Sequence, residues 1–254
     1  MKTAKIRDYS GLMARLQKSW ESTMIPILTL GEISVAEKVY PLFKVVLGKG
    51  NSKRALISAG IHGDEPAGVE AIIIFLESKR YPKFIHDWEI TLLPCLNPWG
   101  YEYDIRESHE GKDLNREFKS SPSPQEVKLI QSVLNDPFDL ALELHEDVES
   151  SGFYLYGKGK SGRETELGQK ILQRVNEIMP INGNPEIEGN LADHGIIKRP
   201  CGSTSEEWWP MAVYSLAQGT KECFTLETST DFSMKKRASA HLLAIETALK
   251  NFST

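Results

Sequence analysis

Four residues in this chain, His62-Gly63-Asp64-Glu65, have the types and spacing to hold a metal ion. An imidazole and a carboxylate three residues apart at the start of a helix face the same way and can share one divalent cation. A pair this short also arises by chance, and the chain contains a second one, His86 and Glu89. Context separates the two. His62 follows a strand-like run, Arg54 to Gly60, and leads into a helix-like one. It therefore stands at the carboxyl end of a strand, where open α/β sheets collect their ligands. His86 precedes the run Trp88 to Leu96, which places it at the opposite end of the sheet and reads as surface or packing.

A catalytic metal needs a third protein ligand and one open position. His145 closes the run from Asp139. Strand alternation puts Leu140, Leu142 and Leu144 on one face, with Glu143 and His145 on the other. Position alone leaves His145 open to two readings, a ligand or an imidazole satisfied by local hydrogen bonds. Glu227 near the end of Glu222 to Thr228 has the same ambiguity. A carboxylate at the end of an apolar strand is costly unless paired or functional, and beside a metal-activated water it would act as general base. A strand-edge carboxylate facing solvent is the simpler reading of its position. His109, His194 and His241 have no acidic or histidine companion at ligand spacing and read as ordinary packing or surface residues. Between residues 98 and 123 the chain is polar and aperiodic, and loops of that length are commonly functional. It follows Asn97 and contains Pro98-Trp99-Gly100, Arg106 and Asp113-Leu114-Asn115-Arg116. Arginine forks suit a carboxylate or a developing oxyanion, although Glu107, Glu110 and Lys112 make a solvated charged loop an alternative.

The elements that would carry these residues alternate between strand and helix patterns. Helices are expected over 8–20, from Pro66 after an Asp64 cap, over 124–135, 163–178, 206–216 and 233–251. Strands are expected over 38–47, 54–60, 88–96, 139–144, 153–156 and 222–228, with 179–205 irregular. That alternation predicts a layered α/β fold with a parallel or mixed sheet. No linker-like tract interrupts it, so residues 1–254 are expected to form one domain. The 254 residues carry 30 Lys+Arg against 35 Asp+Glu, a net charge of -5, with 40% hydrophobic residues. Such values exclude disordered, collagen-like and coiled-coil classes, and the acidic balance argues against a general nucleic-acid binder. Three cysteines are too few and too scattered for a disulfide framework. The longest strongly apolar run, Ala71 to Leu76, cannot cross a bilayer, and the first residues lack a secretory core. The expectation is a cytoplasmic protein with no membrane or nucleic-acid partner.

His-Gly-Asp-Glu, Asn-Pro-x-Gly, Asp-Leu-Asn-Arg, a strand-end His and a strand-end Glu occur here in one order across residues 54–228. In that set and order the sequence resembles the zinc metallocarboxypeptidase superfamily. The superfamily includes pancreatic-type carboxypeptidases, murein-peptide amidases and the succinylglutamate desuccinylase/aspartoacylase branch. The resemblance implies an α/β fold, a three-layer α/β/α sandwich around a mixed twisted sheet, and one Zn2+ held by His62, Glu65 and His145. It implies that Asp113 orients His62 and that Arg106 polarises the scissile carbonyl. Asn115 and Arg116 would clasp a terminal carboxylate, and Glu227 would be general base and then proton donor. The implied reaction is hydrolysis of an amide bond next to a free carboxylate, in a small peptide or an N-acyl amino acid.

The short span from Glu65 to His145 looks more like the murein-amidase and acyl-amino-acid branches than the digestive enzymes. No tyrosine stands at the offset where digestive enzymes carry a mobile one, so none is carried over. Trp208 and Trp209 would wall the pocket or pack in the core. The short tail after Glu227 favours a single-domain peptidase or amidase over aspartoacylase itself. Two other classes fit less well. Gly157-Lys-Gly-Lys-Ser161-Gly162 imitates a phosphate loop, but Tyr154 stands where that loop needs its first glycine. A serine hydrolase would need a Gly-x-Ser-x-Gly elbow, which the sequence lacks.

Overall fold

Alternating and continuous apolar runs build the centre of the molecule as one mixed sheet. A computed structural model describes residues 7–23, 26–159, 164–198 and 207–253. Its strands are β1 (Ile27–Val35), β2 (Lys38–Leu47), β3 (Lys53–Ala59), β4 (Trp88–Leu93), β5 (Leu140–Asp147), β6 (Phe153–Gly159), β7 (Glu186–Ile187), β8 (Asn190–Asp193), β9 (Ile196–Lys198) and β10 (Glu222–Ser229). They lie in the order β1-β2-β4-β3-β5-β10-β6-β9-β8-β7. The centre is parallel, with β3 pairing β4 and β5, and β5 pairing β10. Antiparallel β2 and β6 flank it. The central strands are covered on both faces, which is why they read as near-continuous apolar runs.

The helices are α1 (Tyr9–Thr23), α2 (Pro66–Glu77), α3 (Pro98–Tyr103), α4 (Gln125–Leu134), α5 (Glu164–Val175), α6 (Met211–Ala217) and α7 (Met234–Asn251). On one face, α2 packs against α1 and α7, and α7 against α5. Leu140, Leu142 and Leu144 of β5 and Phe224 and Leu226 of β10 belong to that core. On the other face, Val127 and Ile130 of α4 and Met211 and Leu216 of α6 pack with Ala141 and Cys223. The result is the expected three-layer α/β/α sandwich. Alternation within β5 and β10 then turns His145 and Glu227 toward the α4/α6 face. Among the described residues no helix is long and apolar enough to cross a membrane.

Several local expectations are corrected. Ile27–Val35 forms an edge strand whose residues are half-exposed or exposed apart from Ile33, and its register shifts between Thr29 and Gly31. That irregularity and weak burial erase the period-two signal. The segment 179–205, expected to be irregular, contributes β7, β8 and β9, each four residues or fewer. Strands that short carry too few side chains to show a pattern. The stretch 98–123 holds α3 and a 3-10 turn, Leu114–Arg116. The helix expected from 206 begins at Met211 instead, directly after Pro210. The middle of the phosphate-loop look-alike, 160–162, lies outside the described residues.

The start of α2 also differs. Pro66 occupies its first turn as expected, but the N-cap is Glu65 and no side-chain cap bond forms there. Asp64 is therefore not the cap. Glu146 from β5 takes over that work, its Oε1 accepting from Ala67 N at 2.5 Å. The helix thus gets its N-terminal acceptor from the neighbouring strand rather than from its own chain. Close packing makes this possible. A Cβ at Gly68 would lie 2.6 Å from Leu144 Cβ and 3.0 Å from Leu144 O. Gly68→Val should therefore push α2 off β5 and destabilise the fold by about 1–3 kcal/mol. Urea unfolding of the variant is the measurement, and an unchanged midpoint would contradict the packing argument.

Candidate metal centre

His62, Glu65 and His145 come from three places: the turn after β3, the residue before α2, and the carboxyl end of β5. They meet as one buried cluster, 3%, 5% and 3% exposed. The Glu65 carboxylate bridges the two rings. Its Oε1 lies 2.7 Å from His62 Nδ1, and its Oε2 lies 2.8 Å from His145 Nδ1. One potential ligand atom from each residue falls within 4.8 Å of the other two. Two imidazoles and a carboxylate are the donor set of many catalytic zinc sites, so the residues present fit a single divalent ion. The far nitrogen of His62, Nε2, lies 3.1 Å from Asp113 Oδ1. That contact fixes the ring with Nδ1 facing the cluster.

The electrostatics follow from burial and from this sharing. Burial opposes charge on Glu65, but His62 and His145 overcome it and hold the carboxyl well below its usual range. Burial likewise opposes charge on His62, and Glu65 and Asp113 push it up to about 9. Burial opposes charge on His145 too, and among the described residues it outweighs the pull of Glu65, so the pKa is lowered. Asp113 is held low despite burial by its bond to His62 and by Arg106.

Glu227 reaches the cluster through register. It is the direct partner of His145 in the parallel β5–β10 ladder, so both side chains leave the same face. Glu227 is 8% exposed. Burial first, then the negative charges of Glu65, Glu188 and Asp147, push its carboxyl well above the usual range. A proton is therefore favoured on this group more than on an ordinary glutamate, as general-base chemistry needs.

Arg106 lies against the cluster from the loop. Its Nη1 donates to Glu65 Oε1 at 3.2 Å, and its Nε and Nη2 donate to Asp113 Oδ2 at 3.3 and 3.2 Å. Local structure explains how a loop residue arrives there. Asp104 ends α3 in the left-handed region, φ 59, and turns the chain back. Asn97, fully buried, accepts from Gly100 N at 2.9 Å and donates to the Arg106 and Glu107 carbonyls at 3.2 and 3.0 Å. The two motif glycines let the backbones touch. A Cβ at Gly63 would lie 2.0 Å from the Gly100 carbonyl carbon and 2.4 Å from Ile105 O. Any larger residue would separate His62 from the loop that carries Arg106 and Asp113.

Asn115 and Arg116 follow Asp113 in the 3-10 turn, which Asp113 caps by accepting from Asn115 N at 3.0 Å. Asn115 Oδ1 accepts from Met211 N at 2.8 Å, tying the turn to α6. The guanidinium of Arg116 sits 4.2 Å over the Trp208 ring, an arrangement that orients the fork and adds cation–π attraction. Trp209 packs on the α4/α6 core instead. Of the segment preceding them, 202–206 lies outside the described residues. His86 is exposed, as expected, and so is His194, which contacts Asp193. His109 faces Glu126. His241 is a packing residue, as read from the sequence: it is fully buried on α7, with Nε2 3.1 Å from the His145 carbonyl. Nothing local in the sequence signals that contact, because it joins residues far apart in the chain.

Residues 51–248 match the model of the succinylglutamate desuccinylase/aspartoacylase catalytic domain. No curated protein sequence matches the chain. Among solved structures, a provisionally assigned metallopeptidase of Shewanella amazonensis superposes with a TM-score of 0.82 at 21% identity, covering 96% of this chain and 92% of that one. A Pseudomonas aeruginosa metallo-carboxypeptidase in complex with (2-guanidinoethylmercapto)succinic acid gives 0.70 at 17%, covering 96% and 69%. The tripeptide-bound cell shape determinant Csd4 of Helicobacter pylori gives 0.61 at 18%, covering 82% and 55%. At these identities the likeness is one of fold.

The hydrogen bonds of Asn97 lead to a direct check. Asn97→Ala would remove the side-chain partner of the Glu107 carbonyl and the Gly100 N–H, and leave the Arg106 carbonyl with Gly63 N at 3.3 Å. A buried group left unpaired costs about 1–3 kcal/mol. The variant should unfold at lower denaturant and bind metal more weakly, because the loop holding Asp113 loses its anchor. Wild-type stability in that variant would show that Asn97 is not the anchor.

Proposed function

The chain belongs to the succinylglutamate desuccinylase/aspartoacylase catalytic-domain family, and from that premise we propose that it is a zinc-dependent, carboxypeptidase-like hydrolase of an amide bond next to a free carboxylate. The observation that carries this reading is the β5–β10 register. It sets a buried Glu227, whose proton affinity is raised, directly beside His145 of the His62–Glu65–His145 cluster. A zinc ion in the cluster would supply Lewis acidity, acidifying water and polarising a carbonyl.

The chain's own residues supply the remainder. His62 and His145 present Nδ1 and Glu65 its carboxylate, and Asp113 keeps the His62 ring from turning. Glu227 takes a proton from the attacking water and holds it, its burial favouring the neutral acid, until the departing amine needs it. Arg106 offers its guanidinium where negative charge grows on the carbonyl oxygen. Asn115 and Arg116 face the free carboxylate of the substrate, the arginine oriented by Trp208. Residues 1–254 act in this reading as one catalytic domain.

The family match favours a second reading of the same site, deacylation of an N-acyl amino acid. Both need a free carboxylate beside the bond, and they differ in what lies on its other side. A panel of dipeptides, cell-wall peptides and N-acyl amino acids separates them by kcat/KM.

Two outcomes test the mechanism. Glu227→Gln should keep one equivalent of zinc and lose roughly 100-fold to 10,000-fold in turnover, the range expected for a general base. Full activity in that variant would remove Glu227 from the reaction. Chelation should abolish activity and added zinc restore it. A metal-to-protein ratio near zero after zinc reconstitution would overturn the proposal as a whole.

A further inference from the structure

His241 has no part in the hydrolytic steps above, yet it touches the backbone of a proposed ligand. It lies on α7, on the face of the sheet opposite the cluster. Its Nε2 is 3.1 Å from the His145 carbonyl oxygen and 3.3 Å from Thr228 Oγ1. A carbonyl oxygen can only accept, so the contact is attractive only if Nε2 carries the hydrogen. Nδ1 is then the bare nitrogen of a neutral ring. Consistently, Nδ1 is buried and has no hydrogen-bond partner among the described residues. An N–H there would be a donor stranded in the core, which is costly.

The two groups that His241 reaches belong to different strands. His145 ends the useful length of β5, and Thr228 directly follows Glu227 in β10. Side chains alternate along a strand, so Thr228 points toward α7 while Glu227 points toward the cluster. One imidazole therefore spans the backs of both strand ends that carry the chemistry. One helical turn earlier on the same face of α7, Arg237 pairs with Glu146, and Glu146 in turn accepts from Ala67 N at the start of α2. Together, Arg237 and His241 bring α7 against the two residues that end the ligand-bearing part of β5.

We propose that His241 is a positioning residue that locks the ends of β5 and β10 together, holding the His145 ring and the Glu227 carboxylate in their mutual placement. The proposal rests on reading His145 as a metal ligand and Glu227 as the base. It assigns His241 an effect on metal geometry that ordinary core packing would not produce. Contacts behind a metal ligand commonly change affinity 10-fold to 100-fold when removed.

The test uses the metal-stripped full chain, titrated with Zn2+ against a chromophoric chelator, and the visible absorption spectrum of its Co2+ form. Wild-type protein should bind one equivalent. His241→Phe fills the space without a donor, and its zinc affinity should fall about 10-fold to 100-fold with shifted cobalt bands. His241→Gln places an amide N–H near the original Nε2 and should recover most of the affinity and the wild-type spectrum. Equal zinc affinity and an identical cobalt spectrum in wild type and His241→Phe would overturn the proposal. Failure of the wild-type chain itself to bind zinc would instead remove the metal reading beneath it. Should His241→Phe not fold, the 15N spectrum of the wild-type histidines decides. A neutral His241 ring with its hydrogen on Nε2 supports the proposal, and a hydrogen on Nδ1 overturns it.

Discussion

A carboxylate buried between two imidazoles organises the rest of this structure. Glu65 is 5% exposed, and a charge taken that far from water costs several kcal/mol unless it is met by partners. It has four: the two histidine rings, the Arg106 guanidinium and the backbone N–H of Glu146 at 3.2 Å. These partners come from three different segments, since His145 and Glu146 are neighbours in β5. The turn after β3, the end of β5 and the loop after α3 must all arrive together for the charge to be paid for. The fold around Glu65 is in this sense a consequence of solvating one group with protein.

That requirement explains the small residues beside it. Gly63 and Gly100 let two loop backbones come into contact, and Asn97 joins them with its own amide. Asp113 then serves three groups at once, bonding the His62 ring, the Arg106 fork and the Asn115 N–H. A charged loop that reads as solvent-exposed becomes ordered because its Arg106 and Asp113 meet opposite charges at the cluster. Arg106 is half-exposed and still anchored on two sides. That combination suits a group that must face both a buried carboxylate and an incoming substrate.

The opposite flank has a different character. Tyr154 of β6 donates to Asp147 Oδ2 at 2.8 Å, and Tyr156 donates to Glu188. Those carboxylates lie close enough to Glu227 to raise its proton affinity further. Arginines therefore gather on the loop side of the cluster and carboxylates on the β6 side. Behind both, α7 supports the strand ends through Arg237 and His241. Polarity is thus distributed across the site by which strand or loop each residue occupies, while the net charge of the chain, -5, says nothing about it.

The parts legible in the sequence were those whose signal is local. His62 and Glu65 lie in one short motif, Asp113, Asn115 and Arg116 in another, and the facing of His145 and Glu227 follows from alternation within a single strand. The layered α/β fold was legible for the same reason, because long amphipathic and apolar runs repeat their period over many residues. What tertiary structure alone decided involves pairs distant in the chain: the register that sets Glu227 opposite His145, the Asn97 bridge to residues 106 and 107, the cap that Glu146 lends to α2, and the seat of His241 behind β5. The edge strand β1 and the short strands β7 to β9 also waited for structure, since they are held by their neighbours more than by their own pattern. Local spacing records which way a side chain faces along its own element. Which other element it meets depends on strand order and packing, and single-chain spacing carries no term for either.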